Sequence, residues 1–216
     1  DGKARELMTD ALAAYELAAR DFAAGRSQIG YVASELEAQI LTHQGNAHFR
    51  LAALTRDDQE RAAKLERAVS FAKAVLRIQP AKEVADTRLA RLQAVAASNL
   101  GELLLESRDF VSAQGFIESA LDRAQKQDLP ETAWRAHWYL GRLADVRGDR
   151  ASADKGYTEA ASIVDRQRVR ILDAELKVGY MSSKRQFFEA LCARELALGN
   201  GERAFMSAER ARSRAF

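Results

Sequence analysis

The sequence predicts an all-α fold assembled from antiparallel helix pairs, and three observations carry that prediction. The first is an internal repeat: ASNLG at 97–101 returns as HWYLG at 137–141, so that Gly141 stands 141 − 101 = 40 residues after Gly101. Twelve residues after each glycine comes an alanine (Ala113, Ala153), four later a bulky apolar residue (Ile117, Tyr157), and three later another alanine (Ala120, Ala160). Spacings of three and four residues place side chains on one face of a helix, and small residues on that face let two helices approach closely. The second is composition, rich in Ala, Leu, Glu, Arg and Gln and poor in β-branched residues. The third is the presence of only two prolines, Pro80 and Pro130, in 216 residues. Little or no sheet is expected.

The paired Gly–Ala pattern resembles the tetratricopeptide (TPR) repeat, a helix–turn–helix unit. The resemblance implies a right-handed superhelix, an α-solenoid in which each unit packs only on its neighbours. The whole chain is therefore expected to be one array, with approximate units at 1–27 (partial), 28–80, 81–127, 128–166 and 167–216.

In chain order, residues from about Ala4 to Ala24 form an amphipathic helix with Ala11, Tyr15 and Ala18 at second-helix positions. Gly25 and Gly30 bracket a short connection. A long helix follows from about Tyr31 to Leu54, with Gly45 in the glycine position, and Thr55 to Asp58 supplies side-chain oxygens to cap the next helix, which ends at Pro80. Gly45 to Ala68 is 23 residues where the central units have 12, an insertion of 11. Helix pairs at about Lys82–Ser107 with Phe110–Lys126, and Pro130–Arg147 with Arg150–Arg166, form the two most regular units, with Asp109 and Asp149 as N-caps. A further helical segment is expected over 171–178. A last pair follows at Phe187–Leu198 and Glu202–Arg214, with Cys192 in the glycine position.

That last pair, with Ala204-Phe205 and the arginine-rich run from Glu209 to Arg214, resembles the final TPR unit of bacterial proteins that carry a C-terminal CHAT domain, a caspase-like peptidase module. The resemblance implies that an array of this kind recognises regulators or substrates for the peptidase. The peptidase's own histidine and cysteine motifs are absent, so no catalysis is carried over and the chain itself is expected to be no enzyme. Asp1 at the start and the unfinished look of the end lead to the expectation of a piece of a longer protein, with a further domain beyond Phe216.

Composition narrows the partners. Lys plus Arg exceeds Asp plus Glu by only 33 − 31 = 2, and the charges alternate along helix faces, so global charge selects nothing. No apolar run approaches the roughly 18–20 residues that cross a bilayer, and no basic segment followed by an apolar stretch opens the chain, so a cytoplasmic, membrane-free protein is expected. His43 and His48 lie about 140° apart around a helix and cannot share a metal ion as residues four apart would, and a single cysteine makes no cluster. No metal or cofactor is expected. Cys192 is expected to be buried and inert. Arg166, Arg168 and Arg170, with Arg210, Arg212 and Arg214, are two basic clusters without any nucleic-acid motif, so they are expected to solvate helix faces or meet a following domain.

A solenoid of this kind binds on the concave face lined by its first helices. Counting from the glycine position places Thr42, Asn46 and Arg50 there from the first unit and Ser98, Asn99, Glu102 and Glu106 from the second. Arg135, Trp138, Arg142 and Asp145 come from the third, and Gln186 and Glu189 from the fourth. Asn99 is the preferred peptide reader, because one amide is both donor and acceptor, although it could equally bond the neighbouring unit. Trp134 and Trp138 could likewise be packing between units. The expected function is recognition of a protein or peptide segment, with the chain's own downstream CHAT domain as one candidate. Two rivals stand beside it: a self-associating scaffold joined through its end helices, and a sensor arm of another multidomain signalling protein.

Overall fold

The computed structural model describes residues 2–29, 33–79 and 87–212, the side chains of 27–29 excepted. Among the described residues there are ten α-helices and no strand: α1 (Gly2–Ile29), α2 (Ala33–Ala53), α3 (Asp58–Arg77), α4 (Thr87–Glu106), α5 (Phe110–Lys126), α6 (Pro130–Val146), α7 (Arg150–Arg170), α8 (Ala174–Ser182), α9 (Arg185–Ala197) and α10 (Gly201–Ala211). Pairing is local: α2 with α3, α4 with α5, α6 with α7 and α9 with α10, while α2, α4 and α6 also touch one another in sequence. The fold is all-α.

The glycine register sets these pairs. A Cβ on Gly101 would lie 2.4 Å from Ile117 Cγ1, and one on Gly141 would lie 3.2 Å from the Tyr157 ring and 3.3 Å from the Ala153 carbonyl. Gly45 takes the same place against Phe71 and Ala68. The eleven extra residues of that unit are all accounted for: relative to α4 and α5, α2 runs three residues further past its glycine, the link is one residue longer, and α3 has seven more before Ala68. The insertion lengthens the hairpin beyond the close contact and leaves the contact itself in place.

One turn recurs four times. Asp109 N–H donates to Leu104 O, Leu129 to Ala124, Asp149 to Ala144 and Asn200 to Glu195, at 2.8–2.9 Å. The residue before each donor is left-handed: Arg108 (φ 62°), Asp128 (49°), Gly148 (75°) and Gly199 (76°). This six-to-one bond closes the last carbonyls of a helix and reverses the chain within three residues. Asp109 and Asp149 then cap the next helices as expected, accepting from Ser112 N–H (3.2 Å) and Ser152 N–H (3.1 Å). Hydrogen bonding with the Ser112 and Ser152 side chains first, and then with these backbone N–H groups, holds both carboxyls below the usual aspartate range.

Several expectations require correction. Gly25 does not end the first helix: α1 runs through it to Ile29, because a single glycine costs a helix only about 1 kcal/mol. Within the expected capping stretch Thr55 to Asp58, the acidic Asp57 caps α3 by accepting from Glu60 N–H at 2.6 Å, but Thr55 takes no part, its hydroxyl donating back to Leu51 O at the end of α2. Helix α7 continues four residues past Arg166, so Arg166, Arg168 and Arg170 ride on its last turns. Cys192 is half-buried rather than buried, bordering a hollow with Val178, Leu196 and Ala208. Gly30, Tyr31, Pro80, Lys82 and Arg214 lie outside the described residues.

Three apolar clusters run along the stack. Val75, Leu89 and Ala96 pack near the first end. Leu100, Ile117, Tyr139 and Leu143 fill the middle. Trp134, Tyr157, Val164, Met181, Phe187 and Phe188 join α6, α7, α8 and α9 at the far end. Lys184 is locked into this last cluster, its ammonium 2.6 Å from Glu131 and over the rings of Trp134 and Tyr180.

Candidate partner-binding face of the first helices

The stacking of α2, α4 and α6 brings most of the sequence-selected polar residues into one row, and they are joined to each other. Asn99 Nδ2 donates to Asn46 Oδ1 at 2.8 Å, bridging α4 to α2. Arg135 reaches Glu102 at 2.8 Å and Arg142 reaches Glu106 at 2.7 Å, bridging α6 to α4. Asp145 accepts from Arg194 at 2.7–3.1 Å, which carries the row to α9. A single helix face supplies these residues because 99, 102 and 106, like 135, 138, 142 and 145, recur at helical spacing.

Charge in the row is internally compensated. Arg135 also donates to the Tyr139 hydroxyl. Burial works against the Arg135 charge, but Tyr139 and Glu102 outweigh it and hold the guanidinium protonated. Trp138 stacks on Trp134 with centroids 5.8 Å apart and carries the Arg142 guanidinium over its outer ring face at 5.9 Å. Trp134 is buried and both indoles touch Phe187. Packing between units, the plainer of the two readings of these tryptophans, is what this geometry displays. The Trp138 Nε1 is enclosed without a hydrogen-bond partner among the described residues.

The remaining selected residues fall differently. Arg50 is exposed on α2 with no ion pair to a described residue. Thr42 spends its hydroxyl on Ala38 O at 2.7 Å, and Ser98 is buried at 1% exposure and so offers nothing to a ligand on the surface. Gln186 and Glu189 are exposed on α9, and no hydrogen bond or ion pair ties them to the row; Glu189 instead accepts from Arg185 one turn earlier. The half-buried Asn46 and Asn99 each retain one side-chain atom unused by the fold, a donor on Asn46 and an acceptor on Asn99.

Two residues that matter to this face are invisible to the repeat pattern. Arg194 is the junction of α6, α7 and α9: besides Asp145 it reaches Asp154 at 2.7 Å and Glu195 at 3.3 Å, and it lies 4.8 Å over the Tyr157 ring. Burial opposes its charge, and the bonds it donates to Asp145 and Asp154 overcome that and push its pKa up. Gly156 is the second, with a Cβ position only 2.8 Å from Gly141 Cα, Gly141 N and His137 O. An arginine among acids on neighbouring helices and a glycine three residues after Ala153 are the only signals a sequence offers for either.

No group of three or more potential metal-ligating side chains converges among the described residues, and no described helix is long and apolar enough to cross a membrane. No protein-family model matches the chain, and no curated protein does. Among solved structures, the chain is similar to the crystal structure of BtubC (BKLC) from P. vanneervenii, with a TM-score of 0.51 and 18% identity over 96% of this chain and 88% of that one. At that identity the likeness bears on the all-helical fold alone.

Proposed function

We propose that the chain is a TPR-type α-solenoid that binds an extended protein segment along the face of α2, α4 and α6, by recognition and without catalysis. The observation that carries this reading is the Asn46–Asn99 bridge with its unused donor and acceptor. Side by side, the Asn46 Nδ2 can donate to a ligand carbonyl and the Asn99 Oδ1 can accept the ligand's N–H, which is the pairing an extended backbone offers. Arg50 provides an uncommitted cation beyond that pair, and the Trp138–Arg142 stack a flat surface further along. The ion pairs across the row fix these side chains before binding, so little ordering entropy is lost on the scaffold.

The final pair, α9 and α10, supports placing such an array as the recognition part of a larger CHAT-type protein, through the resemblance of residues 189–214. That placement stands on the sequence alone.

The test is selection of binders from a random peptide library, with wild-type chain and Asn99→Ala as parallel baits. Peptides enriched on wild type should lose about tenfold in affinity on Asn99→Ala, the worth of one backbone-directed hydrogen bond, while circular dichroism stays unchanged. No enrichment, or peptides that bind both baits equally, sinks the assignment.

A further inference from the structure

Helices α7 and α10 run side by side with a cleft of about 710 Å³ between them, floored by α9. One stripe of α7 lines it from Asp154 through Tyr157, Ala161, Asp165 and Val169 to Arg170, and α10 faces it with Arg203, Met206 and Arg210. The centre is apolar, with Tyr157, Ala161, Leu191 and Met206. Two of its apolar lining residues, Val169 and Met206, are left 77% and 49% exposed.

Each end of the cleft carries an arginine side chain, and the end formed by Arg166 and Arg170 is positive. Asp165 is taken by Arg210 at 2.9 Å, and Asp154 and Glu195 are taken by Arg194. Arg203 approaches Asp154 and Glu195 only at 3.8–3.9 Å. Arg166 bonds Ser162, and among the described residues neither Arg166 nor the exposed Arg170 has a carboxylate partner. The cleft is thus Arg203 at one end, an apolar middle, and Arg166 with Arg170 at the other. Asp154 to Arg170 spans sixteen residues, about 24 Å of helix.

The complementary pattern lies on the chain's own first helix. The side of α1 that faces away from α2 carries Glu6, Asp10, Leu17 and Asp21 within about 60° of arc. All four are exposed, Leu17 at 53%, and none of the three carboxylates makes an ion pair with a described residue. Lys3 is the one cation within the same arc. Two acids, an apolar stretch of Ala13, Ala14 and Leu17, and a third acid span fifteen residues, about 22 Å. Order and length match the cleft, and sign matches at its Arg166–Arg170 end.

We propose that α1 of a second copy of this chain lies in the cleft between α7 and α10, with Glu6 and Asp10 towards Arg166 and Arg170, and Asp21 towards Arg203. Such a contact joins two different surfaces, so copies associate head to tail and the assembly grows beyond a dimer unless it closes as a ring. Exposed charges at both ends make it sensitive to ionic strength.

Light scattering coupled to size exclusion, over a concentration series from low micromolar to submillimolar at low salt, tests this. The mass of the wild-type chain should rise with concentration past two copies. Arg166→Glu with Arg170→Glu should weaken association at least tenfold, and so should Glu6→Lys with Asp10→Lys. All four positions are exposed, and helicity by circular dichroism verifies folding of each pair of substitutions independently. Mixed in equal amounts, the two variants should associate again, since each retains the surface the other lacks. A wild-type chain that stays monomeric throughout overturns the proposal. An association untouched by either pair of substitutions, or one that mixing does not restore, does the same.

Discussion

Alanine for glycine should have opposite effects at two helix-interior positions, one in α5 and one in α7. At Gly115 in α5, nothing lies within 4 Å of the new Cβ, and the residue is exposed in a helix interior. Alanine there removes backbone entropy from the unfolded chain and should stabilise by about 0.5–1 kcal/mol. At Gly156 in α7 the same gain is opposed, because the Cβ would sit 2.8 Å from Gly141 Cα, Gly141 N and His137 O, all of them backbone atoms of α6. No side chain can swing away, so α6 and α7 must separate by roughly 1 Å to reach ordinary carbon contact, and such a gap forfeits a quarter to a half of each dispersion contact along the pair. Overpacking of this kind costs about 1–3 kcal/mol, more than the propensity gain. For a chain of this size about 1 kcal/mol moves the melting temperature by about 2–4 °C. Thermal melts followed by circular dichroism should therefore show Gly115→Ala a few degrees above wild type and Gly156→Ala a few degrees below. A Gly156→Ala chain that melts above wild type would falsify the close-contact account of this pair.

The recurrent left-handed turn makes a second prediction: Arg108→Gly, at φ 62°, should raise stability by about 0.5–1 kcal/mol in denaturant titration, since glycine adopts that conformation without the penalty an L side chain carries. A lower midpoint would show that the arginine side chain contributes more than its backbone strain. Arg194→Ala should cost about 2–4 kcal/mol by leaving Asp145, Asp154 and Glu195 without their shared partner, and Arg194→Lys should not restore it, because one ammonium cannot serve three carboxylates on three helices. Full rescue by lysine would refute the junction role. Acid should weaken the fold through His48, which is buried against Phe71 with its Nδ1 unpartnered. Desolvation first, then Arg67 and Lys64 against Glu16, holds its pKa below the usual 6.5. A depressed folded pKa leaves the stabilisation complete above the unfolded value and removes it as pH falls from there towards the folded one. His48→Phe keeps the ring stack and should flatten the loss of stability between pH 7 and pH 5; an unchanged slope would place the effect elsewhere, His137 being the other histidine with a depressed pKa.

Much of the fold was legible because it is periodic. The twelve-residue step from Gly101 to Ala113 and from Gly141 to Ala153 encodes where two helices touch, and Asp109 and Asp149 mark where the second of each pair begins. The errors fell where local signals compete. Gly25 reads as a break, yet one glycine is only a weak interruption in a long helix, and α1 continues through it. Thr55 reads as a cap, but Asp57 is nearer the first free amides. The polar row was legible as a set of positions and not as a set of bonds. Helical spacing tells that Asn99 and Glu102 share one face of α4, and Arg135 and Arg142 one face of α6, whereas the partner each chooses depends on how α2, α4 and α6 are offset along their axes. Arg194 and Gly156 were missed for the same reason, since both act across helices whose offset no single-chain periodicity records.

The most direct test of the recognition account compares one selected peptide on three chains, read through the fluorescence of the two tryptophans, Trp134 and Trp138, both of which belong to α6. The account predicts that Asn99→Ala loses about tenfold in affinity while Arg166→Glu with Arg170→Glu binds as wild type does. Equal binding by Asn99→Ala together with loss on the arginine pair would contradict it, and would move recognition from the first-helix face to the cleft between α7 and α10.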